Sequence, residues 1–420
     1  MPIFLSIFTV FMFSLVAIEA NLQLNLFSGF RQIAVVVVFL LIWFFRRGKR
    51  TTSIGYPLAI VALLLLLIFG AMASGTPIKN SVIGLFMTIE FALLFYLATL
   101  TRISIRDLRI FCFSFLLFLV VNTFFSLIGY LQNFPAAMRE DVGVQGDAGF
   151  FASGLNIGII ILLGLSFGKK KQFYLLLASI FSIVIFLTAI KKSMLINIII
   201  WFIWNFSQGK KRFFARFMLI TIVCLIALTL SIGALQSNIN ENIAYIGDVG
   251  FKDHVRLIMY LASFQIALDF FPFGSGAGSF GSLASITNFF SPLYHIYGVS
   301  VAPTNTQEAV ETGTHTLLDT YWPHILAEAG FIGAVTMLYL FLTPIVLSSK
   351  VLKSKMVPPQ IKFCAFIALC IPLALLFEGF ALYTPEAPSF LIFLGGITGY
   401  CYRVLRKYLK QGFYSIKTKV

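Results

Sequence analysis

Apolar runs close to the length that crosses a bilayer recur from one end of this chain to the other. A bilayer's hydrocarbon core is about 30 Å thick, so about 20 apolar residues in a helix span it. Backbone in hydrocarbon must satisfy its own polar groups, which leaves a helical bundle as the fold for such a chain. The sequence predicts about twelve spans: 3–20, 30–45, 56–74, 81–100, 110–131, 153–168, 172–190, 193–207, 213–235, 329–348, 361–383 and 388–405. The runs at 153–168 and 193–207 are the shortest of them. The expectation is an all-α polytopic membrane protein, with residues 1–420 forming one integral membrane domain. Charged residues make up 11% of the chain and mean hydropathy is +0.94, which excludes an ordinary soluble domain.

The first run lacks a basic n-region, and Ala17-Ile-Glu-Ala20 is a poor cleavage site, so it is read as a span rather than a signal peptide. Cys112, Cys224, Cys364, Cys370 and Cys401 all fall in apolar runs without metal-like spacing, and read as small buried hydrophobes.

The net charge of +15 has a pattern. Basic residues cluster in alternate connections, at 46–50, 102–109, 169–171, 210–216, 350–362 and the tail from Arg403. The exceptions among the 31 Lys and Arg are Arg31, Lys79, Arg139, Lys191, Lys192, Lys252 and Arg256. Cytoplasmic loops carry the basic excess, so the alternation predicts both termini in the cytoplasm. It reads as an orientation signal with help from anionic lipid, not as a nucleic-acid site. Of the 16 acids only Asp107 falls in a cytoplasmic loop, and most of the others fall in outer loops. The outer face then has mixed charge, suited to a polar, partly anionic substrate.

The connection at 236–328, between the ninth and tenth spans, is too long to be a simple linker. It is the expected large extracytoplasmic loop. Within it, residues 255–271 predict an amphipathic helix along the membrane interface, because Leu257, Tyr260, Leu261, Phe264 and Leu268 recur at helical spacing. Pro272 with Gly274, Gly276 and Gly278 ends that helix in a turn. The turn reads either as loop geometry or as an anion cradle of backbone N–H groups. Residues 314–328 predict a second polar-faced helix running into the next span. There His315, Asp319 and Trp322 would share a face, and Glu328 would sit at the membrane boundary before Gly330 and Gly333. A His and an Asp on one face suit acid–base work or the binding of sugar hydroxyls.

Lys191 and Lys192 break the orientation pattern at a very short turn. They read as a snorkelling pair at a span end or as phosphate ligands. Arg256 could join them, since guanidinium grips phosphate through two hydrogen bonds. Cations on one outer cavity would suit a lipid-linked diphosphate, stabilising the charge that develops as a glycosidic bond to it breaks. No carboxylate cluster of Mg²⁺ type stands in the outer loops, so the expected reaction is metal-independent and takes no cofactor.

At these residues the chain resembles the O-antigen polymerase and O-antigen ligase superfamily, bacterial enzymes of surface polysaccharide synthesis. Four pieces match in order over much of the second half: Phe150-Phe-Ala-Ser-Gly-Leu-Asn156; Leu187-Thr-Ala-Ile-Lys-Lys-Ser193, with lysine where the family has arginine; Arg256-x-x-x-Tyr260 through Phe273-Gly-Ser-Gly-Ala-Gly-Ser-Phe280; and Leu326-Ala-Glu-Ala-Gly-Phe-Ile-Gly333. The family usually places a His-Asn pair eleven residues before the first glycine of the last piece. Here Asp319 holds that place and His315 lies a helical turn earlier, so the base is His315, Asp319 or neither.

The resemblance implies a GT-C-like glycosyltransferase in the bacterial inner membrane with its active site on the outer, periplasmic face. Its partners would be undecaprenyl-diphosphate-linked oligosaccharides, membrane lipid and a chain-length regulator. Lys191, Lys192 and Arg256 would hold the diphosphate, His315 or Asp319 would serve the acceptor hydroxyl, and Asn156, Glu328, Tyr260 and Gly276 would support the site. Polymerase is the first reading and O-antigen ligase, acting on lipid A core, the second. The third is a transporter of the same lipid-linked sugars, for which Glu90 inside the fourth span would be the buried carboxyl.

Overall fold

The computed structural model describes residues 53–101, 104–132, 148–168, 170–188, 190–208, 255–286, 289–312, 316–318, 320–354, 357–380 and 392–417, with isolated positions at 37, 40 and 44. The expected spans at 3–20 and 213–235, and nearly all of 30–45, lie outside these residues, as do His315 and Asp319. Among the described residues the fold is helical, with no β-strand element.

The principal helices are α1 (Gly55–Ser74), α2 (Ile78–Leu100), α3 (Ile105–Gln132), α4 (Ala148–Leu165), α5 (Lys171–Leu187), α6 (Lys191–Ser207), α7 (Val255–Asp269), α8 (Tyr321–Lys353), α9 (Pro359–Glu378) and α10 (Thr398–Lys417). Five of them, α1, α2, α3, α8 and α9, are long and apolar enough to cross a membrane. The expected spans at 153–168, 172–190 and 193–207 form the shorter helices α4, α5 and α6. The last expected span, at 388–405, runs on as helix to Lys417, beyond a π-helical turn at Ile392–Ile397.

Local chemistry sets several ends. Gly75 takes a left-handed conformation and returns its N–H to Ala71 O, which stops α1. Pro77 and Pro358 stand just before α2 and α9, where a missing N–H costs nothing. Pro344 and Pro372 lie inside α8 and α9, a placement that packed neighbours make tolerable in membrane helices.

The core runs through α2. Phe91 stacks on Phe341 of α8 at 4.5 Å, and Tyr56 of α1 meets Phe95 at 4.7 Å. Outward faces stay apolar: Met72 is 74% exposed and Val335 68%. Continuous exposed apolar surface of this kind marks contact with lipid or partners.

The contacts give the bundle two ends. The starts of α3, α5 and α9 and the end of α4 meet around one cleft that holds Arg109 and Lys170. Lys350 and Lys353 end α8 shortly before α9 begins, at the same end. At the other end, the tip of α1, the start of α2 and the start of α8 close on residues 274–281. The described residues between α7 and α8 form a packed cap. Met259, Ile266, Phe280, Tyr294, Val299, Leu317 and Ala327 form a small core of their own.

Candidate functional site

The glycine turn is the organising feature of this far end. Gly330 has φ 65° and ψ −174°, so α8 is broken there into a short piece and a long one. A break strips the preceding carbonyls of their helical donors. The turn replaces them: Ser275 N donates to Ala327 O and Gly276 N to Glu328 O, both at 2.8 Å. Ala277 N donates to Leu67 O of α1 at 3.2 Å. The approach is so close that a Cβ on Gly276 would overlap the backbone of Ala71, and one on Gly70 would lie 2.6 Å from Gly276 N.

This overturns the anion-cradle reading of the turn. The N–H groups of Ser275, Gly276 and Ala277 point inward, to carbonyls of α8 and α1. The carboxyl held beside it belongs to the chain. Glu328 Oε1 accepts from Phe280 N and from Ser282 Oγ, each at 3.0 Å, and lies 3.5 Å from His324 Nδ1. Both Glu328 and His324 are fully buried. Glu328 Oε2 has no hydrogen-bond partner among the described residues.

His324 ties the pair into the bundle. Its Nδ1 lies 2.9 Å from Phe280 O, so that nitrogen carries a proton. Its Nε2 lies 3.2 Å from Thr88 Oγ1 of α2, whose hydroxyl also reaches Gly84 O at 2.9 Å. Thr88 can accept from a protonated imidazole or donate to a neutral one, so its rotor serves both charge states. A further chain of bonds closes the cap: Gly281 N donates to Tyr294 Oη at 2.8 Å, which pairs with Ser285 Oγ at 2.6 Å. Burial pushes the Tyr294 hydroxyl well above its usual range.

A second group surrounds the start of α6. Lys191 and Lys192 are its first two residues, the former exposed and the latter half-buried. Cations there oppose the helix dipole, whereas an anion would meet both lysines and the first free N–H groups. Asn156 is fully buried and donates through Nδ2 to Ser193 O at 3.1 Å, which fixes α4 against this turn. Asn197 and Trp201 both donate to Ser182 Oγ, at 3.3 and 2.9 Å, pinning α6 to α5.

The third group lies on α7. Arg256 is exposed, and Tyr260, one turn on, donates to Phe380 O just past α9 at 3.1 Å. Partial burial holds the Tyr260 hydroxyl up at about 12, with the nearby Arg256 charge pulling it down in part. The expected apolar stripe of α7 is real but faces away from the protein: Leu261 is 63% exposed and Phe264 51%, while Met259, Ala262 and Ile266 face inward.

The expected helix over 314–328 forms only from Tyr321 onward, where it runs into the long span. Residues 316–318 and 320 are not helical, and Thr320 is extended (φ −144°, ψ 127°) ahead of Tyr321. Trp322 therefore lies in the first turn of a helix that does not include 316–318 or 320, and His315 and Asp319 lie outside the described residues. The buried cap explains the difference, because Leu317 turns inward to its core. Trp322 instead packs on the end of α9, donating to Leu376 O at 3.1 Å.

The structure thus joins Glu328 to the turn of Gly276, Asn156 to the residue after Lys192, and Arg256 to Tyr260. Sequence reasoning missed His324 as the partner of Glu328, although the i, i+4 spacing before Gly330 was a usable signal. Thr88 and Ser282, far away in the chain, left no signal at all. No protein-family model matches this chain, and no curated protein matches it.

Proposed function

We propose that this chain is a membrane glycosyltransferase of the polysaccharide polymerase kind, moving a growing glycan from a lipid diphosphate onto a lipid-linked repeat. The observation that carries the reading is the set of cations at the capped end of the bundle: Lys191 and Lys192 in the first turn of α6, and exposed Arg256 on α7. They stand at the opposite end from the basic connections around Arg109, Lys170 and Lys350. The ordered resemblance to O-antigen polymerases supports it further, as does the apolar stripe of α7, which suits a lipid-borne substrate.

In this mechanism an acceptor sugar hydroxyl attacks the anomeric carbon of the donor. The bond from that carbon to the diphosphate oxygen breaks, and the lipid diphosphate leaves with the electron pair. Lys192 and Arg256 stabilise the charge it gains, with Lys191 as the outer cation. The hydroxyl proton passes to His315 or Asp319. Asn156 positions the lysine turn through Ser193, and Glu328 and Gly276 position the cap. Ligation to lipid A core would use the same site with another acceptor.

A transporter reading has its own observations: Glu90 is buried within α2, and α8 is discontinuous at Gly330. Broken helices line many transporter sites.

One assay separates the three. The purified chain is given lipid-linked repeats in nanodiscs, with and without lipid A core, and in liposomes. A ladder of products is expected without the core acceptor, and Arg256→Ala or Lys192→Gln should slow it by about 10²-fold, the usual loss of one charge-stabilising donor. Products formed only on lipid A core would mean a ligase. Translocation without bond formation would mean a transporter.

A further inference from the structure

At the basic end of the bundle, α3, α5 and α9 enclose an open cleft of about 630 Å³. Two cations line it. Arg109 comes from α3, and Lys170 precedes the first turn of α5. Arg109 is half-buried, and its Nε is fully buried with no hydrogen-bond partner among the described residues. Lys170 is exposed. Lys171, by contrast, is engaged: it donates to Gln208 at 3.2 Å and lies over the Trp204 ring.

Nothing acidic among the described residues lines the cleft. Asp107, two residues before Arg109, points its carboxylate at Ser104 N, 3.4 Å away, and residues two apart do not share a helix face. Tyr174 and Gln360 add a hydroxyl and an amide to the lining. The start of α9 also faces the cleft, and a helix start favours negative charge. A desolvated guanidinium nitrogen and an exposed ammonium in one cleft suit an anion with several acceptor oxygens.

The remaining wall is apolar. Phe113 lines the cleft and is 45% exposed, and Leu117, one turn further into the bundle on α3, is 65% exposed. The site therefore has a cationic head and an apolar track leading along a helix toward the middle of the bundle. We infer that this cleft seats the phosphate headgroup of an anionic glycerophospholipid, with its acyl chains along Phe113 and Leu117. Basic pockets between membrane helices take headgroups in this way. The site lies at the opposite end from the cation set assigned to the donor and does not depend on it.

The test uses the full chain in neutral detergent, with lipid retention read by native mass spectrometry and thermal midpoint by size exclusion after heating. Phosphatidylglycerol should be retained and should raise the midpoint, and phosphatidylcholine should do neither. Arg109→Gln with Lys170→Gln should bring phosphatidylglycerol down to the phosphatidylcholine level. The single variants should fall between, which guards against a double variant that simply misfolds. Arg106→Gln removes a charge from an exposed position outside the cleft and should change nothing. Equal retention of the two lipids, or unchanged retention in the double variant, would overturn the site. Full protection by inorganic phosphate alone would overturn the lipid and leave a free-anion site.

Discussion

At the scale of single residues, the glycines of the turn differ in what they are for. Gly276 has φ 83° and no room for a Cβ against α1, whereas Gly298 has φ 68° and open space around it. Left-handed strain alone costs an ordinary residue roughly 1–2 kcal/mol. Gly298→Ala should lose about that much, and Gly276→Ala should exceed about 4 kcal/mol, because backbone must move as well. Heating followed by size exclusion ranks the two, and equal losses would mean the turn is not wedged against α1. Tyr260 offers a test in pH. Its hydroxyl sits near 12 in the folded protein against 10.0 for the free side chain. The folded state therefore holds a proton that the unfolded state has released, and the stability tied to it is complete below pH 10 and lost as pH rises through 12. The wild type should lose stability over that window more steeply than Tyr260→Phe. Parallel pH profiles would place the hydroxyl in water. The sequence marked Tyr260 and Gly276 as worth attention, but a hydrogen bond to Phe380 or a wedge against Ala71 has no trace in local spacing.

At the scale of elements, the broken helix α8 matters most. Glu328 was legible as a carboxylate at a membrane boundary, and Gly330 as a glycine near a span start. That the two belong to one device was not, because the donors that complete it come from residues 275–282. Glu328→Ala should leave Phe280 N–H and the Ser282 hydroxyl without an acceptor, at about 1–3 kcal/mol for each buried orphan. Glu328→Gln keeps one carboxamide oxygen in place and should cost less. Thermal midpoints of the two variants check this, and an alanine variant as stable as the wild type would remove Glu328 from the cap. The expected helix over 314–328 starts only at Tyr321 for a related reason: the cap buries Leu317, and that contact outweighs the local helical pattern ahead of it.

At the scale of the whole molecule, the alternation of basic connections has a geometric counterpart. Arg109, Lys170, Lys350 and Lys353 stand at one end, and Lys191, Lys192 and Arg256 at the other. If the basic end faces the cytoplasm, Lys191→Cys should react with an impermeant maleimide in right-side-out vesicles, and Lys170→Cys only in inverted ones. Cys112, Cys364, Cys370 and Cys401 are buried and should stay silent, with Cys224 replaced by serine. The opposite labelling pattern would reverse the proposed site to the cytoplasmic face.

The sequence by itself determined that the chain is helical and built for a membrane, because hydrophobic length and period are local properties that each segment carries alone. It also marked the connections in which basic residues gather. The tertiary structure decided the rest: which N–H groups of the glycine turn are spent on carbonyls, that Phe280 N and Ser282 hold the Glu328 carboxyl, and that no acid among the described residues lines the cleft of Arg109. Those facts depend on which distant backbone arrives within 3 Å, and a hydrogen bond across 48 residues, as between Phe280 and Glu328, is invisible until the chain is folded.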